Sequence, residues 1–286
     1  MSVSILADVR SAKRAKYGVC MGDSQTDVFG YYGVLGPFCW PEVFANALRA
    51  AGKDYGVANL GLGGDTSCGT LARVASVYYR EVPDFAVLAI GVNDPAAART
   101  VNGGGATTTV IPTTGGGANF ASGWVVINGE SRYVQTDAGT GGNIVLSQAL
   151  SSAPANGVAI TIDTQKNIEQ WIVAVHAQGV DLSKIAIVSA PYLNWANGLG
   201  DTQTVPYAPY VPVRAAQSAA AVSQGVTFVN LWAFMDGMIR NGTDHGYGVE
   251  VQGSGSWHAL PNNQHYNLRG HDYQAKCVYI AFASQV

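Results

Sequence analysis

Charge is scarce in this chain. Only 12% of its 286 residues are Asp, Glu, Lys or Arg, and the formal net charge is −3. There is no basic stripe of the kind that tracks a phosphate backbone, so nucleic acid is not an expected partner. Long apolar runs are missing as well. None approaches the ~20 residues that a membrane-crossing helix needs, so no membrane span is expected. Residues 1–16 carry Asp8, Arg10, Lys13, Arg14 and Lys16 and contain no apolar core of secretory-leader length. Cysteine is sparse. Cys20, Cys39, Cys68 and Cys277 form no Cys-x-x-Cys pair, which argues against a zinc site or a redox motif. No metal and no cofactor is expected. Cys20 in an apolar strand and Cys277 in a closing amphipathic segment read as buried thiols acting as small hydrophobes.

Apolar residues, at 48%, and glycine, at 35 residues, are what the chain has in quantity. That is enough for a sizeable core, and the length suits one large domain or a domain with a smaller insert. Low charge with many Gly, Thr, Ser and Asn points to an extracellular or virion-borne setting, without a recognisable signal peptide. Apolar strand-length runs at Tyr17–Met21, Tyr55–Leu60, Asp84–Ile90, Lys184–Ser189 and Val226–Val229 alternate with helical spacing. Continuous apolar strands suit a parallel sheet covered on both faces, hence a three-layer α/β/α domain. Between residues 101 and 163 the rhythm breaks. This stretch is rich in Gly and Thr and includes Trp124–Ile127, Asn128-Gly129 and Arg132–Val134, the pattern of a β-hairpin with a tight turn. It reads as a small all-β insert, separable from a domain made of residues 1–100 and 164–286.

Four short stretches fall at predicted strand ends or before the last helix. They are Gly22-Asp23-Ser24, Asn59-x-Gly61-x-Gly63-Gly64-Asp65-Thr66, Gly91-x-Asn93-Asp94 and His265-x-Asn267-x-x-Gly270-His271. In a doubly wound sheet the carboxyl strand ends share one edge, where ligands bind. Each residue also has a plain structural reading. Ser24 can cap a helix, Gly64 can permit a turn, Asn93 can cap a segment, and His265 can be a loop histidine.

In this order the four stretches resemble the sequence blocks of the SGNH hydrolases, also called GDSL-type esterases, over roughly residues 17–100 and 165–286. The resemblance implies a flavodoxin-like fold with five parallel strands in the order 2-1-3-4-5. It implies Ser24 as nucleophile and His265 as its base. It also implies an oxyanion hole made by the backbone N–H groups of Ser24 and Gly64 and the side-chain amide of Asn93. A serine hydroxyl is a weak nucleophile until a base takes its proton, and the tetrahedral intermediate carries a negative oxygen that needs donors.

One position departs from the family. An Asp usually stands three residues before the histidine, and here Asn262 stands there. A backbone carbonyl then orients His265, or Asp244 or Glu250 supplies the carboxylate. His271 reads as helix packing or a hydrogen bond to the site, His245 and His258 as substrate contacts, and His176 as exposed on a helix. The reading is a metal-independent serine esterase acting on an acylated carbohydrate or another small ester, with O-deacetylation of a sugar preferred. That preference rests on the polar insert, on loop aromatics (Tyr31, Tyr32, Trp40, Tyr192, Trp195, Trp257) able to stack on sugar rings, and on the absence of an apolar lid. Trp40, Trp195, Trp257 and His258 are the candidate substrate-binding residues. The insert is similar to small β modules of phage-tail and other glycan-directed proteins. Two rivals stand: a short-chain acyl or lipid esterase, and a glycan-binding tail or adhesion module with a degenerate site.

Overall fold

The computed structural model describes residues 16–27, 36–77, 82–115, 119–139, 141–190, 210–234 and 268–286. In chain order, β1 (Lys16–Gly22), α1 (Trp40–Ala50), β2 (Tyr55–Gly61), α2 (Ser67–Val77) and β3 (Phe85–Ala89) come first. Six short strands follow: β4 (Arg99–Val101), β5 (Val110–Thr114), β6 (Trp124–Ile127), β7 (Glu130–Asp137), β8 (Asn143–Leu146) and β9 (Ala159–Ile162). Then come α3 (Thr164–Ala177), β10 (Ile185–Val188), α4 (Tyr210–Gln224), β11 (Thr227–Val229) and α5 (Leu268–Phe282).

The sheet runs β2-β1-β3-β10-β11, all parallel. This is the 2-1-3-4-5 order expected. Its central strands are apolar where both faces are covered, and every residue of β3 is buried. On one face pack Trp40, Phe44 and Leu48 of α1 with Val278 and Phe282 of α5. On the other lie Ile168, Trp171, Ile172 and Val175 of α3 with Ala220 and Ala221 of α4. Phe85 anchors the first face, edge-on to Phe44, Tyr55 and Phe282 at centroid distances of 5.8, 5.4 and 6.0 Å. Helices α1 and α5 are also tied by a hydrogen bond. The Trp40 N–H, an end-of-helix donor without an intrahelical acceptor, donates to His271 Nδ1 at 3.2 Å. His271 is therefore a packing residue, and His176 lies exposed on α3. All four cysteines are buried, free thiols.

Trp40 corrects the sequence reading. It is fully buried, with its indole N–H donating to Thr26 Oγ1 at 3.3 Å, and has no face free for a sugar. The reason is helical period. The helix begins at Trp40 itself, so Trp40, Phe44 and Leu48 form one stripe facing the sheet.

The six short strands close into a barrel, β4-β5-β8-β7-β6-β9, with β9 returning to β4. Alternate residues point inward, so Val125, Ile127, Val134, Ile144, Leu146 and Ile160 make its core. The β6–β7 turn has Asn128 at φ 53° and Gly129 at φ 76°, the double positive φ of the predicted Asn-Gly hairpin. Closure, and the strands β4 and β5, lie beyond the sequence reading. The barrel starts at Arg99, and its core takes in Cys68 of α2 and Ala97. Among the described residues no helix is long and apolar enough to cross a membrane.

Candidate active site

Strand register brings three of the motifs together. Gly22 pairs with Gly61 of β2 on one side and with Ala89 of β3 on the other. Ser24, Gly64 and Asn93 follow these aligned ends within a few residues, so their turns rise from one sheet edge. Ser24 is half-buried in a tight turn whose Asp23 carbonyl accepts the N–H groups of Thr26 and Asp27 at 2.9 and 3.1 Å.

Hydrogen bonds join the three turns. The Leu62 N–H donates to the Gly22 carbonyl at 3.0 Å, and the Gly63 N–H donates to Asp27 Oδ2 at 2.9 Å. Asn59 Nδ2 donates to the Thr26 carbonyl at 2.6 Å. Backbone contact is so close here that a Cβ on Gly61 would stand 2.2 Å from Asp27 N. Gly64 has the opposite surroundings. Its φ is +77°, and among the described residues a Cβ there would meet nothing within 4 Å. A positive φ of this size suits glycine, and no described side chain crowds its Cα. Asn93 Nδ2 donates one hydrogen to the Asp65 carbonyl at 2.8 Å. An amide nitrogen carries two hydrogens, so this bond holds the group in place while the second remains for another acceptor.

Buried carboxylates brace the turns from below. Asp65 accepts from Thr70 Oγ1 at 2.8 Å and from Arg73 Nε at 2.7 Å. Arg73 also donates to the carbonyls of Leu60 and Gly22 at 2.8 and 3.0 Å, strapping the ends of β2 and β1 together. Asp94 accepts from Ser67 N, Ser67 Oγ and Thr164 Oγ1 at 2.9, 2.7 and 2.7 Å. Burial still lifts the Asp94 carboxyl above its ordinary value, against those three bonds.

The family model of the GDSL-like lipase/acylhydrolases matches residues 20–273. The chain belongs to this family. It is accordingly a carboxylic ester hydrolase, and the three turns just described all fall within the matched span. Solved structures share the fold at low identity. A lipase/acylhydrolase from Enterococcus faecalis aligns with a TM-score of 0.53 and 15% identity, over 94% of this chain and 96% of that one. An acetyl xylan esterase from Geobacillus stearothermophilus aligns at 0.53 and 15%, over 93% and 94%. Another acetyl xylan esterase, AlAXEase, aligns at 0.53 and 14%, over 93% and 98%. No curated protein matches the sequence.

Of the residues singled out from sequence in this GDSL-like hydrolase, Ser24, Gly64 and Asn93 share the edge. Trp40 lies in the core. His265, Asn262, Asp244, Glu250, Trp195, Trp257, His245 and His258, with Tyr31, Tyr32 and Tyr192, lie outside the described residues. Sequence reasoning passed over Asp27, Asp65, Arg73 and Asp94 as site supports. The signal for two of them was at hand, since Asp65 and Asp94 sit inside the motif stretches beside Gly64 and Asn93. Among the described residues no three His, Cys, Asp or Glu side chains are grouped to hold a metal ion.

Proposed function

We propose that this hydrolase is a serine esterase that removes acyl groups, acetyl above all, from a carbohydrate. Ser24 attacks the ester carbonyl, and His265 takes its proton and returns it to the leaving alcohol. The backbone N–H groups of Ser24 and Gly64 and the free hydrogen of the Asn93 amide receive the oxyanion. The observation that carries this reading is the shared edge: a serine turn, a positive-φ glycine that no described side chain crowds, and an amide pinned by its other hydrogen. The acetyl xylan esterases among the structural neighbours support a sugar ester as substrate. So does the barrel beside the site, where Trp124 and Tyr133 form a half-buried ring pair at 5.7 Å.

A second reading has one observation in its favour. Leu62, next to the Gly63-Gly64 turn, is 52% exposed and offers an apolar contact for a short acyl chain. Two measurements separate the readings. Acetate release from acetylated xylan is compared with turnover of p-nitrophenyl esters of rising chain length. Ser24→Ala is assayed alongside, with fluorophosphonate labelling of the wild type. The proposal expects labelling at Ser24, loss of turnover in folded Ser24→Ala, and a preference for acetyl esters on sugar. A folded Ser24→Ala protein with full activity ends it.

A further inference from the structure

The serine turn contains a carboxyl group that the hydrolytic reading leaves unused. Asp23 is 1% exposed. Its Oδ1 accepts the Gln25 N–H at 2.9 Å and the Val92 N–H also lies against the carboxylate, whereas Oδ2 is buried with no hydrogen-bond partner among the described residues. Gln274, on α5 and equally buried, has its Oε1 in the same state. Both side chains line one small cavity of about 10 Å³ between the sheet edge and α5, together with Gln25, Ile90, Val92 and Ser189. While Asp23 is ionised the two oxygens cannot satisfy each other, so a hydrogen must come from the Asp23 carboxyl itself or from a neutral donor of the lining, the Gln25 amide or the Ser189 hydroxyl.

The charges around Asp23 narrow the sources of that hydrogen. Asp65, from the turn after β2, and Asp94, from the turn after β3, both repel a negative Asp23. Arg73 on α2 commits its Nε to Asp65 and its two terminal nitrogens to backbone carbonyls. On α5, His271 accepts from Trp40 through Nδ1. Asp65 thus has its cation and Asp94 its three donors, and Asp23 is the least provided of the three.

We propose that Asp23 is a neutral carboxylic acid in the folded protein, its proton carried on Oδ2 and donated into the cavity shared with Gln274 Oε1, so that the serine turn is clamped to α5. Asp23 is then a positioning residue for Ser24, a role that rests on Ser24 being the nucleophile. Helix α5 begins at Leu268, three residues after His265, so the clamp ties the Ser24 turn to the chain carrying its base. Burial acts in the same direction. It lifts the carboxyl from 3.8 to about 7 against the opposing Gln25 and Val92 amides, and the Asp65 and Asp94 charges add to the rise.

The folded state binds this proton more tightly than the unfolded chain. The Asp23 contribution to stability is therefore complete below about pH 4, falls as pH rises through about 7, and then levels. Asp23→Asn is the isostere of the neutral acid and has no such loss. Melting temperatures of wild type and Asp23→Asn, taken from pH 4.5 to 8, should diverge in the variant's favour as pH rises. The 13C signal of one aspartate carboxyl in labelled wild type should remain in the protonated range at pH 6, which serves even if the variant fails to fold. A difference independent of pH, or carboxyl signals that are all ionised at pH 6, overturns the proposal and means that a neutral donor of the lining, or a water, donates to an ionised Asp23 instead. For the positioning role, Asp23→Leu should lower kcat on p-nitrophenyl acetate about tenfold with KM nearly constant, and Asp23→Asn should recover most of it. An unchanged kcat in Asp23→Leu overturns that role. Activity surviving in Ser24→Ala removes the nucleophile reading but leaves the melting and carboxyl results standing.

Discussion

At the scale of single residues, the edge is organised by hydrogens with assigned destinations. Asn93 gives one amide hydrogen to the Asp65 carbonyl and keeps the other, so its orientation is set before substrate arrives. A neutral donor of this kind cannot be lost by titration. Asn93→Ala should lower kcat by about 10²–10³-fold, roughly 3–4 kcal/mol of transition-state stabilisation, with a small change in KM. Steady-state kinetics on p-nitrophenyl acetate check this. A loss confined to KM removes Asn93 from the oxyanion hole. The same logic covers Asp27, whose carboxylate holds the Gly63 N–H beside the Gly64 turn. Nothing local in the sequence marks that aspartate, because its partner lies 36 residues away.

At the scale of elements, the site depends on how helix starts are anchored. Asp94 collects donors from the first residues of both α2 and α3, where exposed helix amides favour a carboxylate. One turn into α3, Asn167 continues the connection into the barrel. Its Oδ1 accepts the Trp124 N–H at 2.8 Å. Its Nδ2 donates to the Trp124 carbonyl at 3.1 Å and to Ser67 Oγ at 3.3 Å. Asn167 is fully buried, so Asn167→Ala strands these groups without water. The expected cost is about 1–3 kcal/mol. A thermal melt reads the loss, and hydrogen exchange at the Trp124 amide should quicken. Unchanged protection at Trp124 would show that the barrel does not need this anchor.

At the scale of the whole molecule, the barrel is stitched to the α/β layers rather than hung from them. Cys68 of α2 is buried against barrel side chains, and Ala97 belongs to the same core. Replacing residues 101–163 with a short linker puts the expected separability of the insert to the test. Such a replacement opens Cys68 and Asn167 to solvent, so the remaining domain should melt well below the intact protein. A truncated protein melting at the intact temperature would restore the idea of an independent module. Inside the barrel, Arg99 and Asp137 pair at 2.8 Å with both side chains fully buried, and the guanidinium lies 4.5 Å from the Phe120 ring. Burial alone would raise the Asp137 carboxyl. The Arg99 bond and the Phe120 and Gly139 amides overcome it and hold the group below its ordinary 3.8. Its contribution is present above about pH 3.8 and is lost as pH falls through the lowered folded value. Arg99→Met leaves Asp137 charged and unpaired and should cost about 3–5 kcal/mol, measurable by denaturant titration at neutral pH.

The strands of the main sheet were legible because burial on both faces forces continuous apolar runs, as in Phe85–Ala89. The Asn128-Gly129 hairpin was legible because a turn with two positive φ angles demands those residue types. The motif turns could be read for the same local reason, and parallel register then carries their residues to one edge. Trp40, Arg99 and Cys68 were different. A tryptophan at a helix start serves a core or a surface equally well, and only the stripe shared with Phe44 and Leu48 put it inside. An arginine is buried only where a partner meets it, and Asp137 arrives from 38 residues away. Closure of the barrel depends on the pairing of β4 with β9, two short segments far apart in the chain. Local sequence determines backbone preference and burial period, whereas the pairing of distant polar groups and strand edges is decided only when tertiary contacts remove them from water.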